Sequence, residues 1–174
     1  FDGDHHALES CYNNIKRYVD YVDRISVSHL TTFGRGDWVP VRSKSSKELT
    51  SSVYFYVDAQ ILAKAAQLFG KTDDHNHYSQ LAEQIKQAIN EKYLDEEKGL
   101  YASGTQTELS VPLYWGIVPE QAKAKVAQNL AEMVKADNYH LDVGVLGTKA
   151  ILNALSANGY DEIAYRLATQ NRHS

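Results

Sequence analysis

The 174-residue chain has a formal net charge of −4, with 43% hydrophobic and 23% charged residues. This length and composition suit one globular domain with a substantial core. The negative charge argues against the basic surface of a nucleic-acid-binding protein, and no apolar run is long enough to span a membrane.

The chain begins at Phe1 and contains a single cysteine, Cys11. The missing initiator methionine leads us to expect a fragment of a longer protein, so the compartment of the parent stays open, a secreted or periplasmic location included. One cysteine excludes an internal disulfide. Because Cys11 lies on the apolar stripe of a predicted helix, we expect a buried, unreactive thiol.

Apolar residues recur at helical spacing along most of the chain. A first helix is predicted from Asp4 to Asp23, followed by a long loop. Gly70 fits the end of a second helix, and Thr72 or Asp73 fits the N-cap of a third. In chain order, the predicted helices lie over about 4–23, 49–69, 73–93, 105–116, 119–133, 145–157 and 161–169.

Charge divides these helices into two kinds. The first, third and fifth carry many charged residues, whereas the second, fourth and sixth carry very few. The few are Asp58 and Lys64 in the second helix, Glu108 in the fourth and Lys149 in the sixth. A helix with little charge on any side is buried on most sides. The sequence therefore predicts an all-α fold in which outer and inner helices alternate, as in a two-layer α/α toroid or solenoid.

Three loops that lead from an outer to an inner helix share a composition. They cover residues 33–40, 100–108 and 138–144, and each combines glycine, an aromatic ring and a carboxylate. In an antiparallel alternation all such loops lie at the same end of the layer. They are expected to form one mouth beside the N-termini of the inner helices, whose free N–H groups suit sugar hydroxyls or a carboxylate.

Asp37 and Trp38 are the strongest candidates for ligand binding in these loops. They lie between Gly36 and Pro40, in a segment where the backbone turns sharply. One interpretation is a turn aspartate with a tryptophan packed beneath it. The other is a carboxylate that accepts sugar hydroxyls beside an aromatic stacking platform.

The second loop offers Gln106 and Glu108. Glu108 is the only charged residue of its helix, and it either forms a capping box with Thr105 or faces the pocket. Gln106 lies one residue into the helix and is predicted to point toward the mouth. Trp115 lies at the far end of this helix, which favours a role in core packing.

The third loop offers His140 and Asp142. In an extended segment these side chains point the same way, so they could bind a sugar or orient a proton transfer. The alternative is a histidine satisfied by a nearby carboxylate. His5-His6 and His75-Asn76-His77 are expected to be surface polar residues, without the third ligand that a metal site needs.

The segment Gly34-Arg35-Gly36-Asp37-Trp38-Val39-Pro40 resembles the Gly-Asp-Trp segment of glycoside hydrolase family 78, the bacterial α-L-rhamnosidases. The order of later segments is similar as well, and the resemblance covers about residues 4–170. Asp142-Val143 departs from a Thr-Thr pair of many members. The later segments are Glu48-Leu49-Thr50-Ser51-Ser52, Ser103-Gly104-Thr105-Gln106-Thr107, His140-Leu141 and Gly144-Val145-Leu146-Gly147-Thr148.

The resemblance implies that residues 1–174 are a fragment of an (α/α)6-barrel glycosidase catalytic domain. It also implies hydrolysis of terminal α-L-rhamnose with inversion, by two carboxylic groups and without a cofactor or metal. In the family, the acid lies upstream of the position of Phe1 and the base downstream of that of Gln170. No catalytic residue is therefore assigned within the chain.

The substrate-binding residues that we predict are Asp37, Trp38, Gln106 and His140. The expected partners are a rhamnose-containing carbohydrate and the rest of the same polypeptide, rather than nucleic acid or a membrane. Two alternatives remain open at this point. One is another inverting (α/α)6 glycosidase, and the other is a non-catalytic helical-repeat module that binds a partner or a glycan.

Overall fold

A computed structural model describes residues 5–170 of the chain, which are mostly helical. The predicted helices are confirmed, although the predicted first position, Asp4, lies outside the described residues. A short antiparallel ribbon between the third and fourth helices was not predicted, because each strand has only two residues. The elements are α1 His6–Ile25, α2 Lys47–Leu68, α3 Thr72–Tyr93, β1 Leu94–Asp95, β2 Leu100–Tyr101, α4 Gln106–Tyr114, α5 Glu120–Ala136, α6 Val145–Ala157 and α7 Asp161–Ala168.

Helices α2, α4 and α6 form an inner layer, in which α2 contacts α4 and α4 contacts α6. Each inner helix also packs against the helix that follows it, which is α3, α5 or α7, and α1 packs on α2. Buried residues occur on nearly all sides of α2 and α4, whereas α1, α3 and α5 bury a single stripe. The alternation predicted from charge is therefore confirmed, and two of the sparsely charged helices, α2 and α4, are enclosed on most sides. Helix α6 lies in the same layer but buries a single stripe.

The ends of α2 and α3 agree with the prediction only in part. Gly70 follows α2 with a φ of +67°, a left-handed conformation that glycine adopts without strain. The predicted cap of α3 by Thr72 or Asp73 was wrong. Lys71 occupies the N-cap position without a side-chain hydrogen bond, and Asp73 and Asp74 in the first turn offset the helix dipole instead.

The prediction of a buried thiol at Cys11 was also wrong, because Cys11 is exposed. Helix α1 buries Tyr12, Val19 and Val22, but Leu8 and Ile15, which flank Cys11 on the helix surface, are only half-buried. The thiol lies at the solvent margin of the stripe. Among residues 5–170, no helix has the length and apolar character that crossing a membrane requires.

Candidate functional site

The three outer-to-inner loops meet at one end of the inner layer, as predicted. The backbone N–H of Val145 donates to the carbonyl oxygen of Trp38 at 3.0 Å, which joins the first loop to the third. The first of these loops is part of the connection between α1 and α2, residues 26–46, and this whole connection is called the first loop from here on. The hydroxyls of Ser45 and Thr105 lie 2.8 Å apart and join the first loop to the second. The loops therefore form one connected surface above the N-termini of the inner helices.

Asp37 lies at the centre of this surface, but its carboxylate is occupied by the protein. Oδ2 accepts hydrogen bonds from the Thr107 hydroxyl at 2.5 Å and from the Gly144 N–H at 2.7 Å. Oδ1 accepts from the N–H groups of Leu146 at 2.9 Å and Gly147 at 3.3 Å. The substrate-binding role predicted for Asp37 needs a carboxylate free to accept sugar hydroxyls, whereas this carboxylate is buried and has four protein donors.

The glycines at the start of α6 explain why Asp37 is bonded in this way. Gly144 is the N-cap residue of α6 and has no side chain to accept from the free N–H groups, so a carboxylate from another loop does so. The backbone at Gly144 and Gly147 lies very close to Trp38 and Thr107. A Cβ on Gly144 would lie 2.6 Å from the carbonyl oxygen of Trp38, and one on Gly147 would lie 2.4 Å from the hydroxyl oxygen of Thr107.

Trp38 extends from this anchored segment and is 55% exposed. Its ring lies 5.4 Å from the guanidinium carbon of Arg35, a cation–π contact. It also lines a cavity of about 280 Å³ between α1, α2, the first loop and the start of α6. The other aromatic side chains of this cavity are those of Tyr18, Phe33, Tyr54 and Phe55.

Two polar side chains of α2 in this cavity were missed as site residues by sequence reasoning. Tyr54 and Asp58 lie one helical turn apart, and both are half-buried. Burial raises the pKa of the Tyr54 phenol, and burial raises the pKa of the Asp58 carboxyl to about 6. The available signal was the position of Asp58, which is one of only two charged residues in the interior of this inner helix.

Gln106 and His140 hold the third loop in place. Gln106 is buried, and its amide donates to the carbonyl oxygen of His140 and accepts from the N–H of Asp142, both at 3.0 Å. The Nδ1–H of His140 donates to the carbonyl oxygen of Asp137 at 2.8 Å. Of the four predicted substrate-binding residues, Trp38 alone lines the aromatic cavity. Gln106 lines a separate, more polar cavity of about 470 Å³.

Asp142 ties the third loop to the first a second time. Its carboxylate accepts from the N–H groups of Arg42 and Ser43, at 2.8 and 3.0 Å, and from the Ser43 hydroxyl at 2.6 Å. Burial raises the pKa of Asp142, but the bonds from Ser43 and Arg42 outweigh it and hold the pKa below its usual value. The carboxylate of Asp142 therefore joins two loops, and the side chain of His140 bonds within its own loop.

Glu108 caps its helix, which is one of the two roles that the sequence allowed for it. It forms a capping box with Thr105, and its fully buried carboxylate also accepts from the N–H of Ser46 at 2.7 Å and from the hydroxyl of Ser103 at 2.8 Å. One side chain thus connects the first and second loops. Trp115 is half-buried and packs edge-on against Tyr54, which agrees with core packing.

Replacing Glu108 with glutamine is expected to lower the unfolding free energy of the chain by about 1–3 kcal/mol. Either orientation of the amide directs an NH2 group toward at least one part-buried backbone N–H, which then lacks an acceptor. Urea denaturation measures this loss. Glu120→Gln is the control, since Glu120 is an exposed first-turn glutamate of α5. Equal unfolding midpoints for the two variants would contradict the role of Glu108.

The described part of the chain holds no cluster of three His, Cys, Asp or Glu side chains close enough to bind a metal ion. The chemistry that the arrangement supports is the binding of a ligand with both apolar faces and hydroxyl groups. Aromatic rings in the cavity offer stacking surfaces, and Asp58 and Tyr54 offer hydrogen bonds.

Known proteins resemble the chain in sequence along nearly its whole length. It is 28% identical over 169 residues to an α-L-rhamnosidase of Streptomyces avermitilis, covering 97% of the chain and 16% of that protein. It is 26% identical over 175 residues to an α-L-rhamnosidase of Formosa agariphila, covering 95% of the chain and 19% of that protein. The chain thus spans less than a fifth of the length of these curated relatives.

Solved structures agree with the sequence comparison. The Streptomyces avermitilis α-L-rhamnosidase in complex with L-rhamnose matches 98% of the chain with a TM-score of 0.91 at 28% identity, over 16% of its own chain. The α-L-rhamnosidase of Dictyoglumus thermophilum matches 98% of the chain with a TM-score of 0.91 at 38% identity, over 20% of its own chain.

The sequence profile of the bacterial α-L-rhamnosidase six-hairpin glycosidase domain matches residues 1–174. The alternating inner and outer helices are three hairpins of such a fold, α2–α3, α4–α5 and α6–α7, preceded by the outer helix α1. The chain belongs to the bacterial α-L-rhamnosidase six-hairpin glycosidase domain family.

Proposed function

We propose that residues 1–174 form the central part of the catalytic domain of an α-L-rhamnosidase, which removes terminal α-L-rhamnose from glycans or glycosides with inversion. The observation that carries the proposal is the aromatic cavity between α1, α2, the first loop and the start of α6, in a chain whose full length matches this family. A structural relative was solved with L-rhamnose bound, which supports the choice of sugar.

The rest of the polypeptide is the partner that completes this site. Inverting hydrolysis needs a general acid and a base that activates water, with their carboxyl groups about 6.5–9.5 Å apart. We assign both to parts of the full-length protein outside residues 1–174. Exposed apolar side chains of α1, including Tyr18, Tyr21 and Ile25, are 41–45% exposed and offer surface for packing against further chain.

The proposed roles within the chain divide into contact and positioning. Trp38 stacks against the apolar face of the sugar, since its ring is half-exposed beside the cavity. Asp37, Gln106 and His140, although predicted to bind substrate, act by fixing the loops that shape the site. Preorganised loops avoid the cost of ordering them when the substrate binds.

Hydrolysis of an aryl α-L-rhamnoside by the full-length protein and by the isolated 174-residue chain tests the proposal. We expect turnover by the full-length protein, with β-L-rhamnose as the first product detected by NMR, and none by the isolated chain. Turnover by the isolated chain would move the acid and base onto residues such as Asp37, Glu108 or Asp142.

A panel of other aryl glycosides completes this experiment. If the full-length protein prefers a different sugar, the assignment changes from rhamnosidase to another inverting (α/α)6 glycosidase. Glycan binding without hydrolysis of any substrate would favour the non-catalytic helical-repeat module.

A further inference from the structure

Asp58 is a charged group that the proposed function does not yet use. It lies in the middle of α2, 11 residues after the first residue of this helix, Lys47. A rise of about 1.5 Å per residue puts it roughly 16 Å along the helix from the end where the loops meet. It nevertheless lines the same cavity as Trp38, so this cavity extends from the first loop down to the carboxylate.

Within residues 5–170, the carboxylate of Asp58 has no hydrogen-bond donor and no ion-pair partner. This differs from Asp37, Glu108 and Asp142, which are all saturated by protein donors. A half-buried carboxylate without a partner is costly, because burial removes the water that solvates its charge. Such a group is expected to persist where a ligand provides the missing donor.

The surroundings of Asp58 suit a sugar. Tyr18 of α1 and Tyr54 of α2 are the titratable groups that line the cavity with it, and Arg35 of the first loop is the cation. Arg35 stacks on the ring of Trp38, and α6 contributes only Val145 and Leu146. Aromatic walls with hydroxyl groups and one carboxylate, that of Asp58, match a pyranose, which has apolar C–H faces and an edge of hydroxyl groups.

We propose that Asp58 is a specificity-determining residue, which accepts a hydrogen bond from one hydroxyl group of the sugar bound in the cavity that Trp38 lines. This role rests on the proposed rhamnosidase function. It identifies Asp58 as the residue that distinguishes sugars by the position of one hydroxyl group.

Because Asp58 ionises, its contribution to sugar binding is expected to depend on pH. Burial raises the pKa of Asp58 to about 6, so the carboxylate is the stronger acceptor above that pH and is progressively protonated below it. An acid whose pKa is raised on folding destabilises the fold once it is ionised. Removal of Asp58 is therefore expected to weaken sugar binding at pH 7 while leaving the melting temperature unchanged or higher.

The test uses the full-length protein with Asp58→Asn, Asp58→Ala and the control Asp73→Asn, an exposed acid in the first turn of α3. Calorimetry measures the affinity for L-rhamnose and for its 2-, 3- and 4-deoxy analogues, and kcat and KM are measured on an aryl α-L-rhamnoside. We expect both Asp58 variants to bind L-rhamnose roughly tenfold to a hundredfold more weakly, as for a lost hydrogen bond to a charged group.

The deoxy analogues identify the contact itself. Wild type should discriminate strongly against one analogue, and Asp58→Asn should lose that discrimination while Asp73→Asn keeps it. Affinity for L-rhamnose should fall below pH 6 in wild type but not in Asp58→Ala.

Two results would overturn the role of Asp58. One is unchanged affinity and unchanged discrimination in both variants. The other is a large drop in melting temperature or failure to fold, which would mean that Asp58 is bonded to another part of the polypeptide. If wild type neither hydrolyses rhamnosides nor binds L-rhamnose, the proposed function fails as well.

Discussion

Replacing Asp37 with asparagine in the full-length protein is expected to lower both the melting temperature and kcat/KM for rhamnosides. The carboxylate accepts from the Thr107 hydroxyl and from three N–H groups at the start of α6. Asparagine directs an NH2 group at some of these donors and leaves at least one buried N–H without an acceptor, at about 1–3 kcal/mol. We expect Tm to fall by about 2–10 °C.

The kinetic effect follows from the same contacts, because they fix the loop of Asp37 and its neighbour Trp38 to the start of α6. A displaced stacking surface is expected to lower kcat/KM by roughly tenfold to a hundredfold, and the pH optimum should not move. Asp161→Asn is the control, since Asp161 is an exposed acid at the first residue of α7.

Each alternative role of Asp37 gives a different result. A fall in kcat/KM at unchanged Tm would mean that the carboxylate contacts the sugar, as the sequence pattern suggested. Loss of one limb of the pH–rate profile would make Asp37 the acid or base. A lower Tm with normal kinetics would mean that Asp37 stabilises the fold but does not affect the substrate site.

Replacing Gly144 with alanine is expected to have an effect as large, although it removes no polar group. A Cβ at this position would lie 2.6 Å from the carbonyl oxygen of Trp38 and 2.7 Å from Oδ1 of Asp37. The φ of Gly144 is −97°, which alanine tolerates, so the effect is steric rather than conformational. Because the clash includes backbone, the first loop must shift.

We expect Gly144→Ala to lose about 1–3 kcal/mol of stability, as in overpacked cores, and to lower kcat/KM by about a hundredfold. Thermal denaturation and kinetics on an aryl α-L-rhamnoside measure both. Ser156→Ala, at an exposed position of the same helix, should match wild type. Wild-type kinetics in Gly144→Ala would show that the position of the first loop does not matter to the site.

The sequence predicts the layers of this fold well because the number of charged residues in a helix depends on how much of the helix is buried. Helices enclosed on most sides hold few solvated side chains, so α2 and α4 are recognisable from their low charge. Helix α6 has the same low charge, although it buries a single stripe. The meeting of the loops then follows from antiparallel order alone. The ribbon of β1 and β2 has too few residues for any periodicity, and the exposure of Cys11 depends on how far a neighbouring helix reaches.

The roles of the loop residues could not be predicted in the same way. Asp37 combines the features of a ligand-binding carboxylate, but its donors at Gly144 and Gly147 are more than 100 residues away in sequence. The tertiary structure decides which side chain accepts hydrogen bonds from the free N–H groups at a helix end. Glu108 could be assigned because its capping box with Thr105 is local. Asp58 could have been noticed, because it is the one acid of α2 beyond the first turn of that helix.

The most direct measurement is a crystal structure of the full-length protein with L-rhamnose bound. We expect the pyranose ring to lie in the cavity lined by Trp38 and Tyr54, with a sugar hydroxyl at hydrogen-bond distance from Asp58 and with Asp37 still bonded to the start of α6. L-rhamnose bound at a place that none of the three loops contacts, with this cavity filled by other parts of the polypeptide, would contradict the account.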